Sequence, residues 1–526
     1  VCNENIGIGR KWLHYAKGGS YRKWYGNLYE IINWSEQARE HYHEDSSCRI
    51  LQEHLWYRKG ITWGIIAQVS FRMLPEDATF DMQGSSVFVE NEDDFKCIIA
   101  YLNSVVAYEL LNIFNTTLSF QIRDIRNLPY YSDAIVLRKD TINSLASDNI
   151  KLSKQDWDSF ETSWDFVRHP LVCGVRTIAE AYSCWQEMCE ERFTSLKANE
   201  EELNRIFIDI YDLQDELIDK VEDKDVTIRK ANLGRDIRSL ISYAVGCMFG
   251  RYSIDRPGLV FAGGDFDKIY WKYKGQAALD ENGIPIGGGY AGISLAQYHY
   301  PKFRDAEDWE RATQLTFEPD KDNILPITDE EYFEDDIVGL FCAWLKKVYG
   351  TDTLEENLDF IAKALGNKGN TSREIIRNYF LNDFFKDHCK IYSVTGSGKR
   401  PIYWLFDSGK QNGFKALIYM HRYDENTIGN LRIDYLHRME RVYDSEIARM
   451  QDIIDNTSAA REVTAATKRK EKLQKQLKEC KEYDEKIAHL ALARIPIDLD
   501  DGVKVNYEKI QTGADGKKYP VLAKIK

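Results

Sequence analysis

The stretch Ile61-Thr62-Trp63-Gly64-Ile65-Ile66-Ala67-Gln68-Val69-Ser70-Phe71-Arg72 alternates. Its odd positions hold Ile, Trp, Ile, Ala, Val and Phe, and its even ones are mostly polar or small, the period-2 pattern of a strand with one better-buried face. Residues 80–89 predict a second strand beyond a turn at 75–78. Asn91 then stands where a helix N-cap belongs, ahead of Phe95, Ile98, Ile99, Leu102, Val105, Val106, Leu110 and Ile113, whose three- and four-residue spacing predicts one helix. Strands backed by a packed helix make 1–135 a compact α+β module.

Outward from that module the period becomes helical. Amphipathic stretches over 177–216 and 231–249, and again over 329–349, 353–365 and 371–388, predict helices, while the Gly/Pro/Tyr-rich stretch 256–301 reads as loop and irregular structure. Residues 401–406 and 414–420 predict a strand pair around the turn-prone 407–413. Beyond it, Leu436, Met439, Tyr443, Ile447, Met450 and Ile454 keep three-four spacing. So do Leu473, Leu477, Cys480, Ile487 and Leu490, with Asp484 where a seam residue would fall and a weakly apolar stretch, 455–467, between the two runs. An antiparallel helical hairpin satisfies this pattern; one continuous coiled coil is the alternative. The fold class is therefore α+β: a strand-rich N-terminal domain over 1–135, a helical spacer over 136–255, an irregular insert over 256–328, a helical domain with a strand pair over 329–422, and a C-terminal helical hairpin with its tail over 423–526.

The chain has 526 residues, 43% hydrophobic and 29% charged with 11 prolines, which suits several folded cores and excludes a disordered or collagenous protein. No run approaches the roughly 18 apolar residues of a membrane span, so no membrane partner is expected. Seventy basic against 84 acidic side chains give a charge of -14, which opposes a polyanion unless a local basic face exists. The cysteines at 2, 48, 97, 173, 184, 189, 247, 342, 389 and 480 form no CxxC pair and no zinc-like spacing. They read as reduced, mostly buried thiols of a cytoplasmic protein. The chain begins at Val1 without an initiator Met, and a fragment of a longer protein is expected.

Several stretches imitate chemistry. Asn127-Leu128-Pro129-Tyr130 invites comparison with the Asn-Pro-Pro-Tyr of amino-group methyltransferases, but no Gly-rich cofactor loop precedes it, so a structural proline is expected. Phe261-Ala262-Gly263-Gly264-Asp265-Phe266 and the glycines of 287–292 read as turns, and Gly396-Ser397-Gly398-Lys399 departs from a phosphate-binding loop at Ser393 and Arg400. His41-Tyr42-His43-Glu44-Asp45 reads as an exposed polar loop, and Cys184 and Cys189 as buried thiols on a helix. No catalytic or metal-binding residue is expected.

A cationic, aromatic face is the positive feature. Arg10, Lys11, Lys17, Arg22 and Lys23 oppose only Glu4 among the first 25 residues, interleaved with Trp12, His14, Tyr15, Tyr21, Trp24 and Tyr25. Gly18-Gly19 would let backbone approach a phosphate, and Ser20, Tyr21, Arg22 and Lys23 would donate to phosphates and base edges. Arg58, Lys59, Arg72, Arg123 and Arg126 would extend the surface. The competing expectation is an aromatic core with a solvated cationic rim.

Lys17-Gly18-Gly19-Ser20-Tyr21-Arg22-Lys23-Trp24-Tyr25-Gly26-Asn27, Gly60-Ile61-Thr62-Trp63 with Ser70-Phe71-Arg72, Tyr101-Leu102-Asn103-Ser104, Asn115-Thr116-Thr117-Leu118-Ser119-Phe120-Gln121 and Asp124-Ile125-Arg126-Asn127-Leu128-Pro129 form an ordered set. It resembles the target-recognition region of the PglX-type adenine-specific DNA methyltransferases of BREX phage defence. It is also similar to the specificity domains of single-chain restriction-modification methyltransferases. The resemblance continues through 163–171, 239–252, 258–267 and the helical tail. It implies a target-recognition domain followed by helical spacers, the C-terminal part of an adenine N6 methyltransferase. S-adenosylmethionine would bind outside this segment, with no cofactor within it. Implied partners are double-stranded DNA, the protein's own N-terminal methyltransferase domain, and other BREX proteins or a phage inhibitor. Arg10, Lys17, Arg22 and Lys23 would meet phosphates, and Tyr21, Arg72, Gln121 and Arg123, with Ser20 beside them, would lie near base edges. The rival function is a protein-interaction scaffold or phage-made DNA mimic without DNA specificity of its own.

Overall fold

Two small sheets open the chain. β1 (Trp12–Ala16) and β2 (Glu30–Asn33) pair antiparallel, Leu13 opposite Ile32. β3 (Gly60–Trp63) and β4 (Phe71–Leu74) do likewise, Trp63 opposite Phe71. β5 (Ala78–Phe80) runs parallel to β1, and β6 (Ser86–Val87) flanks β3. The single strand expected from alternation is thus a hairpin, and the second expected strand is two short ones around a 3-10 turn at Met82–Gly84. Alternation survives the reversal because the register keeps Trp63 and Phe71 together, ring centroids 5.8 Å apart. The computed structural model describes residues 5–273 and 309–525, apart from 49, 52, 66, 67, 116, 118, 312, 313, 367, 368 and 395–397. Parts of several sequence readings therefore lie outside the described residues: Cys2 and Glu4, Ile66 and Ala67 of the alternating stretch, Thr116 and Leu118, residues 274–308 of the irregular insert with the glycines of 287–292 among them, and Gly396 with Ser397.

The first of two compact units contains these sheets and runs to Leu171, with Ala181–Asn232 added. Its helices are α1 (Glu36–Glu44), α2 (Glu92–Leu102), α3 (Val105–Phe114), α4 (Ile122–Arg126), α5 (Ser132–Val136), α6 (Lys139–Asp158) and α7 (Ile178–Tyr211), whose first turn belongs to the second unit. Ser35 caps α1, so His41, Tyr42, His43 and Glu44 form its last turn rather than a loop. Asn91 caps α2 as its position predicts. The helix expected to run on to Ile113 instead breaks by 64° at Asn103 and Ser104. Asn103 pairs its amide with the backbone of Phe71, accepting from N at 3.1 Å and donating to O at 3.0 Å, and the Ser104 hydroxyl caps α3. One core joins Trp24, Trp63 and Phe71 of the strand region to Phe95, Ile99, Leu102, Val106 and Leu111 and then to Ile142, Ala146, Leu196 and Phe207 of α6 and α7. The strand module and the long helices behind it are therefore one hydrophobic body.

The second unit takes Val172–Glu180 and the described residues from Leu233 onward. α8 (Leu233–Met248) is buried almost throughout. Short strands β7 (Trp271–Tyr273) and β8 (Trp309–Arg311) pair with each other. After β9 (Leu325–Pro326) come α9 (Ile337–Tyr349), α10 (Leu354–Leu365), α11 (Ser372–Asn382) and α12 (Phe384–Ile391), the last two replacing one expected helix. β10 (Ser393–Val394) pairs with β11 (Gly398–Lys399), so Gly398 and Lys399 belong to a small hairpin. β12 (Tyr403–Asp407) and β13 (Lys415–Tyr419) are the expected strand pair, with β9 on the far side of β13.

Then α13 (Thr427–Asn430) passes through a π-helical turn, Leu431–Leu436, into α14 (His437–Asn456), and α15 (Ala460–Ala493) returns beside it before α16 (Gly502–Lys509). Met439, Tyr443 and Met450 of α14 and Leu473, Cys480, Ile487 and Leu490 of α15 share a core with Trp404, Phe406 and Ile418 of the sheet. The hairpin is thus packed on a body as well as on itself. Asp484, out of place in the apolar seam, is taken up by a bidentate Arg432 at 2.7 and 2.9 Å and by His437 at 3.0 Å. Glu479 holds the tip of the β12–β13 hairpin, accepting from the Ser408 hydroxyl, Gln411 N and Gly413 N at 2.8 to 3.0 Å. All nine described cysteines are free thiols, and Cys184 is half-buried while Cys189 is buried. Among the described residues no single helix is long and apolar enough to cross a membrane.

Candidate nucleic-acid interface

Residues 17–27 form a clasp rather than a cationic surface. Arg22 is 4% exposed, and its guanidinium donates to Tyr25 O at 2.6 Å, Ser153 O at 2.7 Å and Asp156 Oδ2 at 2.9 Å while lying over the Trp157 ring. Lys23 Nζ reaches Glu200 at 3.0 Å, and the same carboxylate accepts from Trp24 Nε1 at 2.7 Å. Burial works against charge on Lys23, but Glu200, with Tyr21 and Asp225, outweighs it and holds the ammonium above its ordinary range. Arg72 is 2% exposed and donates to Arg22 O and Ser70 Oγ; burial, then the charge of Arg22, pushes it down to about 10. Arg22 and Lys23, expected at phosphates, are instead turned to protein carboxylates and carbonyls, and Arg72, expected at a base, is buried with Nη1 on protein acceptors and Nε without a hydrogen-bond partner among the described residues. The glycines follow the same logic. A Cβ on Gly26 would lie 2.5 Å from Arg22 Nε and one on Gly19 2.7 Å from the Asn27 amide, so the chain turns tightly on itself, not toward a phosphate.

The other candidates lie outward. Arg10 and Ser20 are exposed, Ser20 with its hydroxyl 3.4 Å from Asn27 Oδ1. Lys17 is partly exposed, 3.5 Å from Glu30. Tyr21 is half-buried; burial raises its phenol pKa, and Lys23 opposes that rise. Gln121 and Arg123 are exposed at the start of α4, where Gln121 N and the Asp124 carboxylate close a capping box, and Arg126 is exposed one turn on. Arg58 and Lys59 are half-buried over the Phe88 and Phe95 rings.

An open cleft of about 730 Å³ connects some of these positions. Tyr21 and Lys23 form part of one wall, α3 contributes Tyr108, Glu109 and Asn112, and Phe120, between Ser119 and the exposed Gln121, lines another part. Gln68, Asn103, Asn115, Asn204, Lys220 and Lys224 complete an amide-rich polar lining. Three of its amides are already engaged: Asn103 with Phe71, Asn115 with Ser119 O and Asp124, and Asn204 with Val105 N and Asp219 O. Among the described residues Gln68 and Asn112 have no such bond, and Tyr108 is 36% exposed. Sequence reasoning missed these three. Tyr108 and Asn112 stand on the polar side of an otherwise apolar α3 and Gln68 between β3 and β4, signals that do not separate a cleft from solvent.

No family model matches the chain. It is 38% identical over 519 residues to the adenine-specific methyltransferase PglX of Lacticaseibacillus casei (strain Zhang), a match covering 95% of this chain and 39% of that protein. It is 33% identical over 524 residues to the adenine-specific methyltransferase BrxX of Escherichia coli O9:H4 (strain HS), again covering 95% of the chain and 39% of the relative. The chain is similar to PglX and BrxX. That bears out the resemblance read from the sequence, and the chain spans 39% of the length of these curated relatives.

Against the background of PglX and BrxX, the tetrapeptide 127–130 has a definite role. The Pro129 carbonyl accepts from Tyr101 OH at 2.7 Å and from Tyr211 OH at 2.6 Å, and Asn127 closes α4 with its backbone N–H. Tyr130 packs edge-on against Tyr101. Carbonyl and ring are thus engaged in joining α2 to α7. Among the described residues one group has metal-like spacing: oxygens of Asp320, Asp322 and Asp335 lie within 4.8 Å of one another. Tyr435 OH donates to Asp322 at 2.8 Å and Asp335 at 2.5 Å, and Asp320 is pushed up to about 7 by burial and by Asp322. A shared phenol and a retained proton account for the crowding of these carboxylates.

Proposed function

We propose that this chain is the target-recognition and helical-scaffold part of an S-adenosylmethionine-dependent adenine N6 DNA methyltransferase of BREX phage defence, and that its first unit reads duplex DNA. The observation carrying this reading is the similarity to two adenine-specific methyltransferases across 95% of the chain. The cofactor, which supplies the methyl group, is assigned to a portion of the protein outside this chain. Transfer to adenine requires the base to leave the stack. The task of these residues is to hold and read the duplex around it.

The cleft suits that task. Gln68 and Asn112 have the paired donor and acceptor that match adenine N7 and N6. Tyr108 adds a partly exposed ring. Lys17, Gln121, Arg123 and Arg126, at least partly exposed, are assigned to phosphates and sugars at the margins. The test is the ratio of specific to scrambled duplex binding by the full-length protein. Changing Gln68 and Asn112 together to Ala should lower that ratio tenfold or more, since a bidentate contact contributes about 1–3 kcal/mol of discrimination. An unchanged ratio assigns base reading elsewhere. Failure of the unaltered protein to prefer any duplex would favour the scaffold reading instead.

A further inference from the structure

α15 begins Ala460-Arg461-Glu462-Val463-Thr464-Ala465-Ala466-Thr467-Lys468-Arg469-Lys470-Glu471-Lys472-Leu473-Gln474-Lys475-Gln476-Leu477-Lys478. Seven cations face two acids over residues 461–478, a local +5 in a chain of -14. Some are committed to the protein: Arg469 pairs with Asp329 at 2.9 Å and Glu330 at 2.8 Å, Lys472 pairs with Asp329 at 2.6 Å, Lys470 donates to Gln451, and Lys478 reaches Glu482 at 3.8 Å. Arg461, Lys468 and Lys475 are exposed, and among the described residues none has a carboxylate within 4.0 Å.

These three follow one another at seven-residue intervals. Each interval advances about 10.5 Å along the helix and drifts only about 20° around it, so the three cations form a nearly straight row about 21 Å long. Ala466, Leu473, Gln476 and Leu477 anchor the helix to its body, and Thr464 and Ala465 are exposed and small between the first two cations. A solvated helix face ordinarily mixes signs. The later part of α15 does so, with Lys481, Glu482, Asp484, Glu485 and Lys486, and so does α14, with Arg438, Arg441, Asp444, Glu446, Arg449, Asp452 and Asp455. The first half of α15 differs in its balance, seven cations against the exposed Glu462 and Glu471.

We infer that this row is a second contact surface for a nucleic-acid backbone, in the second unit and independent of the cleft. The occupant is the phosphodiester backbone of a duplex. A protein partner would need an apolar centre to its interface. None of the large exposed hydrophobic side chains lies between Ile433 and Leu492. A polyelectrolyte needs only cations on a rigid support. The identity of the polyanion as DNA rests on the proposed function; the row itself does not.

The experiment uses the full-length protein and anisotropy of specific and scrambled duplexes across a range of salt. Changing Arg461, Lys468 and Lys475 together to Glu should weaken both duplexes about equally, by tenfold or more at low salt, and reduce the salt slope by about 2–3. The specific-to-scrambled ratio should stay the same. The corresponding Gln variant should move affinity and slope in the same direction by less, which separates loss of attraction from introduced repulsion. Circular dichroism should remain that of the unaltered protein. Unchanged affinity and slope in both variants overturn the inference, as does loss of binding to an acidic protein with DNA binding intact. A changed slope in a protein that does not discriminate sequences would leave this surface standing and sink the reading of the cleft.

Discussion

Residues 17–27 and 461–478 both concentrate positive charge in an acidic chain, yet they place it oppositely. In the first, the cations stand among Tyr21, Trp24 and Tyr25 and are interrupted by Gly18, Gly19 and Gly26, and the backbone folds over them. Arg22 meets Asp156, Lys23 meets Glu200, and both partners lie on long helices. In the second, three cations stand at helical intervals on a continuous rod, with the apolar side turned to the core. A guanidinium beside aromatic and glycine residues is suited to burial through stacking and bidentate bonds, whereas a seven-residue repeat on a helix keeps a side chain in solvent. Local charge excess therefore does not locate a surface. The residues between the charges do.

The largest test of this contrast is Arg22→Ala. Removing Arg22 leaves buried Asp156 with the more distant Arg229, 3.8 Å away, and the first unit should lose about 3 kcal/mol, read as a lower opening free energy for β4 and α6 amides by hydrogen exchange. Protection unchanged from the native protein would mean that the clasp is not structural. Gly26→Ala comes next. Gly26 has φ of 127°, and a Cβ would lie 2.7 Å from Trp157 Cε3, so about 1–3 kcal/mol should be lost by the same measurement. A neutral result would show that the clasp can relax.

Carboxylates extend the comparison to the second unit. Asp320 is held up to about 7, chiefly by burial and then by Asp322, so its folded-state pKa lies above its unfolded one. Its contribution to stability is present in full below about pH 4 and is lost as pH rises through 7. The effect should be weaker than loss of the clasp, because Asp322 is exposed and solvent screens the group. Asp320→Asn should remove that part of the pH dependence. His388, buried and pushed down to about 3, contributes with the opposite sign, losing stability as pH falls below its ordinary 6.5. The difference between Asn variant and native protein across pH 4 to 7 isolates Asp320; identical profiles would remove it as a titrating group.

What the sequence allowed depended on range. The Asn91 cap, the 403–419 strand pair and the C-terminal helices were legible because their signals repeat within a few residues. The break at Ser104 was not, because the Asn103 amide binds Phe71, 32 residues away. Nor was the reversal between Trp63 and Phe71, since a hairpin in that register preserves alternation. The recognition face was misread at Arg22 for the same reason: its carboxylate is 134 residues distant. Of the candidate residues, Tyr21 and Lys23 line the cleft and Gln121 flanks Phe120, which also lines it. Gln68 and Asn112 were hidden because an uncommitted amide looks, in sequence, like any solvated one.

The smallest expected effect is the sharpest discriminator. Arg461→Ala, Lys468→Ala and Lys475→Ala should each leave the stability of the second unit within about 0.5 kcal/mol, since exposed cations outside ion-pair networks contribute little to folding. Arg469→Ala provides the internal control: it sits between them in sequence but pairs with Asp329 and Glu330, so it should destabilise measurably where its neighbours do not. If the three outward cations instead cost as much as Arg469, they are engaged in folding, and the second unit repeats the logic of the first. If they cost nothing, a row of three cations stands on the surface of an acidic chain without a folding role, and its explanation has to come from what it binds.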